Sequence, residues 1–265
     1  MTLHYAIGQI IGDRDNQEDF CAVQLDGGGI AQSDKGKVKN GSVKREITAV
    51  LCDGMGGHNA GEIAAQVAAT SFLQAAQNQL KHGSAPSKSL LTACQDANNG
   101  IARQIAENNS LSGMGTTLVG VRCTPTSLSW VSVGDSYLLL FRNQQLIRLN
   151  QDHSMRPVIE QMVAKGIISE TDAGSHPDRN ALRSALTGES LSIVDQGVDK
   201  LALKTNDLIV IASDGIDVLR HDLVSRILCS RFRRLSKLAI EIVSAARRHG
   251  GRGQDNTTVL LIRVC

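Results

Sequence analysis

Two stretches of about twenty residues repeat apolar side chains at helical spacing, and nearly everything around them is short and strand-like. From Ala60 to Leu80 the stripe is Ile63, Ala64, Val67, Ala68, Ser71, Phe72, Ala75 and Ala76. From Ser87 to Glu107 it is Leu90, Leu91, Cys94, Ala97, Ile101, Ile105 and Ala106. Pro86 marks the second start, and the short connection before it predicts an antiparallel helix pair. Strands are predicted over His4–Gln9, Phe20–Leu25 and Glu46–Cys52, with Gly27–Asn40 as a long, glycine- and lysine-rich hairpin loop. After the helix pair, Gly115–Cys123, Ser127–Val133, Ser136–Arg142 and Gln145–Leu149 read as a meander. Its connections are too short for crossover helices, so these strands are antiparallel.

Met155–Lys165 is predicted helical, closed by Gly166, and a polar, aperiodic excursion follows over Ile168–Leu182. Strands over Leu191–Gln196 and Asp207–Ser213, helices over Ile216–Cys229 and Leu235–Arg248, and a strand over Thr257–Val264 complete the chain. A repeating βαβ order is missing, which excludes a doubly wound parallel sheet. The expectation is an α+β fold: two antiparallel sheets covered by helical hairpins. One domain spans 1–265, with the basic hairpin loop at 26–45 and the polar excursion as insertions.

Composition narrows function mainly by exclusion. The net charge is +2, and the basic clusters at Lys35–Arg45 and Arg231–Lys237 read as solvated surface. Seven aromatic residues in 265 leave little to stack on bases, so nucleic acid is not an expected partner. The six cysteines lack zinc or redox spacing and mostly sit in apolar runs, as small core residues in a reducing compartment do. No signal peptide and no membrane-length apolar run is visible, so the chain is expected to be cytoplasmic.

The chemistry lies in the acids. Val50-Leu51-Cys52 leads into Asp53, Ser132-Val133-Gly134 into Asp135, and Ile209-Val210-Ile211-Ala212-Ser213 into Asp214. Gln17-Glu18-Asp19 and Gln254-Asp255-Asn256 add further carboxylates near predicted strands. A single Asp-Gly is usually a turn. Five such motifs at strand ends can instead converge on one hard-metal site, where Gly54 and Gly215 allow close backbone approach. Oxygen-only donors favour Mg²⁺ or Mn²⁺ over zinc. Two such ions can hold and activate a bridging water for in-line attack on phosphorus. Arg14, upstream of Glu18, offers a planar fork that matches two phosphate oxygens.

Taken together, Asp53-Gly54-Met55-Gly56-Gly57-His58-Asn59-Ala60-Gly61-Glu62, Ser112-Gly113-Met114-Gly115-Thr116-Thr117, Val133-Gly134-Asp135-Ser136, Ala212-Ser213-Asp214-Gly215 and Asp255-Asn256-Thr257-Thr258 resemble the metal-dependent serine/threonine phosphatases of type 2C (PPM), most of all the bacterial branch. The motifs run in family order from about residue 8 to residue 264. The resemblance implies a four-layer αββα sandwich. It implies that Asp53 bridges two Mn²⁺ or Mg²⁺ ions, with Asp214 and Asp255 on the first, and Glu18 and the Gly54 carbonyl on the second. Asp19 would act through bound water, Asp135 with Asp214 would hold a third, weaker ion, and Arg14 would bind phosphate. Asn256 would orient the Asp255 loop. The implied substrates are phosphoserine and phosphothreonine proteins, the implied counterpart a serine/threonine kinase, and the implied state a monomer.

The sequence departs from the family pattern at three points. Gln17 stands where asparagine is usual, Tyr137 where arginine often follows Gly-Asp-Ser, and Met55 where eukaryotic members carry a histidine. The role of that histidine does not transfer to His58, so leaving-group protonation falls to metal-bound water. The resemblance also matches residues 151–186 to the family's variable flap, where His153, Arg156, His176, Arg179 and Arg183 are placed to meet substrate or to serve local structure. The alternatives are a catalytically silent phosphoprotein-binding module and a hydrolase of small phosphomonoesters.

Overall fold

The computed structural model describes residues 2–25, 29–34, 37–56, 60–81, 85–197, 201–230 and 234–265. Lys35, His58 and residues 231–233, singled out above, lie outside these. The strands are β1 (Leu3–Ile10), β2 (Asp19–Gln24), β3 (Ile30–Gln32), β4 (Lys39–Val43), β5 (Ile47–Met55), β6 (Gly115–Thr116), β7 (Leu118–Thr124), β8 (Ser127–Val133), β9 (Tyr137–Arg142), β10 (Gln145–Arg148), β11 (Asp195–Gln196), β12 (Leu201–Ala202), β13 (Leu208–Ala212) and β14 (Thr257–Val264). The helices are α1 (Ala60–Lys81), α2 (Pro86–Glu107), α3 (Arg156–Ala164), α4 (Glu170–Gly174), α5 (His221–Leu228) and α6 (Leu235–Gly250).

One sheet runs β10-β9-β13-β14-β1-β4 and the other β11-β8-β7-β5-β2-β3, with β12 also on β8 and β6 on β5. The pairings are antiparallel. Strand alternation sorts the side chains into layers. Along β5, Val50 and Cys52 face the helix pair α1–α2, whereas Ile47, Ala49 and Leu51 face the opposite sheet. Along β14, Leu260, Ile262 and Val264 enter the space between sheets, while Val259 and Leu261 meet α5 and α6. Three apolar layers therefore separate four layers of structure, the αββα sandwich expected.

Four local expectations change. The segment read as a loop over Gly27–Asn40 contains β3, which pairs with β2, and the start of β4, which pairs with β1. The basic insertion thus supplies an edge strand to each sheet and is not one hairpin. The strand predicted over Gly115–Cys123 breaks at Thr117, where the threonine turns to bond Asp53. The strand predicted over Leu191–Gln196 shrinks to Asp195–Gln196, because Ser184 bonds both the N–H and the carbonyl of Ile193 and draws that stretch toward the flap. The helix predicted over Ile216–Cys229 is a 3₁₀ turn at Asp214–Val218 followed by α5, with Leu219 and Arg220 extended between them. That break keeps Asp214 at the sheet end while Ile216, Val224 and Leu228 still reach the core.

Candidate active site

A cavity of about 320 Å³ opens at one end of the sandwich. Its lining brings together Arg14, Glu18, Asp53, Gly54, Asp135, Asp214 and Asp255. Of the nominated residues only Asp19 is outside the lining; it is 4% exposed. These residues come from loops and strand ends separated by up to 241 positions.

Asp53 and Asp19 face one another across β5 and β2. The Asp53 backbone is fixed from three directions. Its N–H donates to Thr117 Oγ1 at 3.1 Å, and its carbonyl accepts from the Thr117 N–H at 2.9 Å and from Thr116 Oγ1 at 2.9 Å. The next residue must be glycine. A Cβ on Gly54 would stand 2.1 Å from the Gly61 carbonyl oxygen and 2.7 Å from that of Glu18. The start of α1 is therefore pressed onto the strand end, with the Glu18 carboxyl beside Gly61. The Glu18 carboxyl is raised in pKa, first by burial and then by Asp255 and Glu62, against the lowering effect of Arg14.

Asn256 has a larger part than the resemblance implied. Its side chain accepts from the Glu18 N–H at 2.7 Å and donates to the carbonyls of Ile11 and Asn16 at 2.7 and 3.0 Å. It staples the loop carrying Arg14 and Glu18 to the start of β14, while its own N–H donates to Asp255 at 2.8 Å. Gln17, the departure from asparagine, is buried; it donates to the Ile10 carbonyl and accepts from the Asp19 N–H. Its extra methylene is used to reach across the turn.

Asp135 follows Gly134, whose φ of +101° and contact with Thr117 exclude a side chain there. Three residues outside the nominated set hold this turn. Arg148 donates to the Asp135 carbonyl at 2.8 Å, Asn150 to the Ser136 carbonyl at 2.9 Å, and Ser136 pairs with Thr117 through their hydroxyls. Of the two readings given for His153, the local-structural one holds: it is 2% exposed and its Nδ1 accepts from the Gly134 N–H. It supports the Asp135 turn from below, and burial lowers its pKa. Arg156 is ion-paired to Asp217 and bonded to Asn180. Asn180 and Leu182 bring the flap into the cavity lining. Nothing in a lone Asn or Ser of the sequence marks these roles, because each is defined by a partner far along the chain.

The floor is electrostatically crowded. Burial, and then Asp19, Asp214, Asp135 and Asp255, push the Asp53 carboxyl well above the ordinary aspartate range. Asp214 is raised to about 7, chiefly by burial and then by Asp135 and Asp217. Asp135 is raised to about 6, again chiefly by burial, with Arg156 opposing. Asp19 is raised to about 7 by burial, although Ser213 donates to it at 2.7 Å. At the mouth, Arg14 pairs with Asp255 at 2.6 Å; the two side chains are 57% and 40% exposed.

This donor set fits hard divalent cations. Every convergent group is an oxygen donor, the Gly54 turn leaves no room for a side chain, and Asp19 Oδ1 is buried without a hydrogen-bond partner. Among the described residues no three acidic, histidine or cysteine groups stand as a ready-made cage. Asp255, which stands at the edge of the set, is engaged by Arg14.

Fold and cleft together define a hydrolase-type acidic site at the end of an αββα sandwich. The protein phosphatase 2C family model matches residues 27–246, and the chain belongs to that family. It is 31% identical over 251 residues to the serine/threonine phosphatase stp of Listeria monocytogenes, covering 87% of this chain and 93% of that one. It superposes on the Mycobacterium tuberculosis serine/threonine phosphatase PstP/Ppp with a TM-score of 0.78, at 27% identity, over 100% of this chain and 99% of that one. A structure of the PstP catalytic domain in complex with two manganese ions gives a TM-score of 0.70 at 26% identity, over 99% of each chain.

Proposed function

We propose that this protein hydrolyses phosphoserine and phosphothreonine esters on proteins with the help of Mn²⁺ or Mg²⁺. The observation that carries the reading is the convergence of Glu18, Asp53, Asp135, Asp214 and Asp255 on one cavity with Arg14 at its mouth. Asp53 would be shared by two ions, Asp214 and Asp255 would complete one, and Glu18 with the Gly54 carbonyl would hold the other. Asp19, buried behind them with Oδ1 unpartnered, would act through a bound water. Asp135 with Asp214 would hold a third, weaker ion. Divalent cations there would supply Lewis acidity and a hydroxide-like nucleophile near neutral pH.

The chain's own residues do the rest. Arg14 binds and orients two phosphoryl oxygens once it is free of Asp255. Thr116, Thr117 and Asn256 keep the donor turns in register. Intact carboxylates at all these positions disfavour a silent binding module. Six free thiols, four of them buried, support a reducing, cytoplasmic setting, and no described helix is long and apolar enough to cross a membrane. The protein would act as a monomer opposite a serine/threonine kinase. The test is phosphothreonine-peptide hydrolysis with Mn²⁺, with chelator, and with Asp214→Asn. Turnover that depends on metal and falls in the variant supports the reading; turnover indifferent to both rejects it.

A further inference from the structure

A second cavity of about 360 Å³ adjoins the first, and Asn180 lines both. Its floor is apolar: Leu139, Ile216, Leu219 and Val224 are all at most 6% exposed. Leu146, half-buried on β10, and His221, exposed at the start of α5, stand at its edge. Two of the charged groups in its wall answer one another, and a third, Arg179, donates to the Ala173 carbonyl at 3.4 Å. Arg156 pairs with Asp217, Tyr137 donates its hydroxyl to Asp217 at 2.5 Å, and Arg156 also donates to Asn180 at 3.2 Å. Arg148 lies over the Tyr137 ring at 4.3 Å. The apolar floor beneath this wall is the part of the cavity suited to a hydrocarbon group.

We propose that this cavity is a subsite for an apolar side chain of the substrate polypeptide, next to the phosphorylated residue. The proposal rests on the phosphoprotein reading of the neighbouring cleft. Tyr137 is two residues from Asp135, and Ile216 two from Asp214. Asn180, bonded by Arg156, lines both cavities, so a short extended segment, at roughly 3.3 Å per residue, can lay its phosphate on one side and its apolar neighbour on the other.

The experiment walks leucine through the positions flanking phosphothreonine in an otherwise alanine-rich peptide and measures kcat/KM at each. The expected result is one or two positions, within three residues, at which leucine raises kcat/KM about fivefold or more over alanine. Leu146→Asp and His221→Asp should each flatten that preference while p-nitrophenyl phosphate turnover stays unchanged. The His221 change is exposed and favourable at a helix start, so it guards against misfolding of the Leu146 variant. A flat leucine profile on peptides that are hydrolysed overturns the subsite alone, as does a preference that survives both variants. Failure to hydrolyse any phosphopeptide, with p-nitrophenyl phosphate still turned over, overturns the phosphoprotein reading and the subsite with it.

Discussion

The floor of the acidic cleft and its rim are built on opposite principles. Asp53, Asp135 and Asp214 stand at or just beyond ends of core strands, and Asp19 is buried behind them; their carboxyls are crowded and raised in pKa. Arg14 and Asp255 sit on loops, largely open to water, and hold one another in an exposed ion pair. The floor therefore carries standing electrostatic strain that a cation relieves, and the rim carries a weak contact that is easily exchanged. Strain fixed by the core fits permanent cation ligation. A weak pair fits a guanidinium that must let go of a carboxylate to take a phosphate.

The largest effect should come from neutralising the floor. Asp53→Asn is expected to lower kcat/KM by about 10³-fold or more, through loss of several kcal/mol of metal-assisted stabilisation. In chelator the same variant should melt at a higher temperature than wild type, because a crowded buried carboxylate has gone. A lower Tm in chelator would show that the floor is not strained. At the rim, Arg14→Ala should cost roughly 10- to 100-fold in kcat/KM, the order of a lost charge-assisted bidentate contact, with Tm almost unchanged. A stability loss as large as the catalytic one would erase the distinction between rim and floor.

Protonation separates the two regions again. The Asp214 carboxyl rises from 3.8 to about 7 on folding, so between those values the folded state holds protons that the unfolded chain has released. The stabilising contribution is full below 3.8 and is lost as pH rises through about 7; Asp19 acts in the same sense. Metal-free protein should accordingly lose Tm between about pH 5 and 7.5, and Mn²⁺ should cancel the loss at the upper end. Asp13, Asp34 and Asp222 are shifted down from the ordinary aspartate value and so complete their titration below this window, whereas His153, lowered by burial, opposes the trend within it. A Tm that is flat or rising over that range in chelator would contradict the strained floor. A smaller effect is expected at Asn256→Ala, about 10-fold in kcat/KM, from loosening of the Arg14–Glu18 loop. Unaltered kinetics there would mean the loop holds its shape without the staple.

How much of this was readable in advance follows from the range of each interaction. The helix pair α1–α2 and the long strands were legible because periodicity is local, and β8 and β14 match their predicted ranges. Asp53, Asp135 and Asp214 were legible because each follows an apolar strand or borders a glycine, whereas Glu18, Asp19 and Asp255 stood out only by lying near predicted strands and by the family resemblance. Thr117 was not marked as a support, since its role depends on a break between β6 and β7 that only pairing with β5 reveals. For His153 the sequence left substrate contact and local structure both open; burial against Gly134, which decides between them, is a tertiary fact. β3 and β4 were hidden for the same reason: a lysine- and glycine-rich segment has weak strand propensity, and the sheet edges on either side supply the pairing.

The central claim is that crowded acids at the sandwich end form a cation site. Titration calorimetry of chelator-treated protein with Mn²⁺ at about pH 7, with proton release followed in buffers of different ionisation heat, tests it most directly. The account predicts saturable uptake of two ions with release of protons from the raised carboxyls, abolished or halved in Asp53→Asn. Absence of saturable binding, or binding that Asp53→Asn leaves untouched, would contradict it.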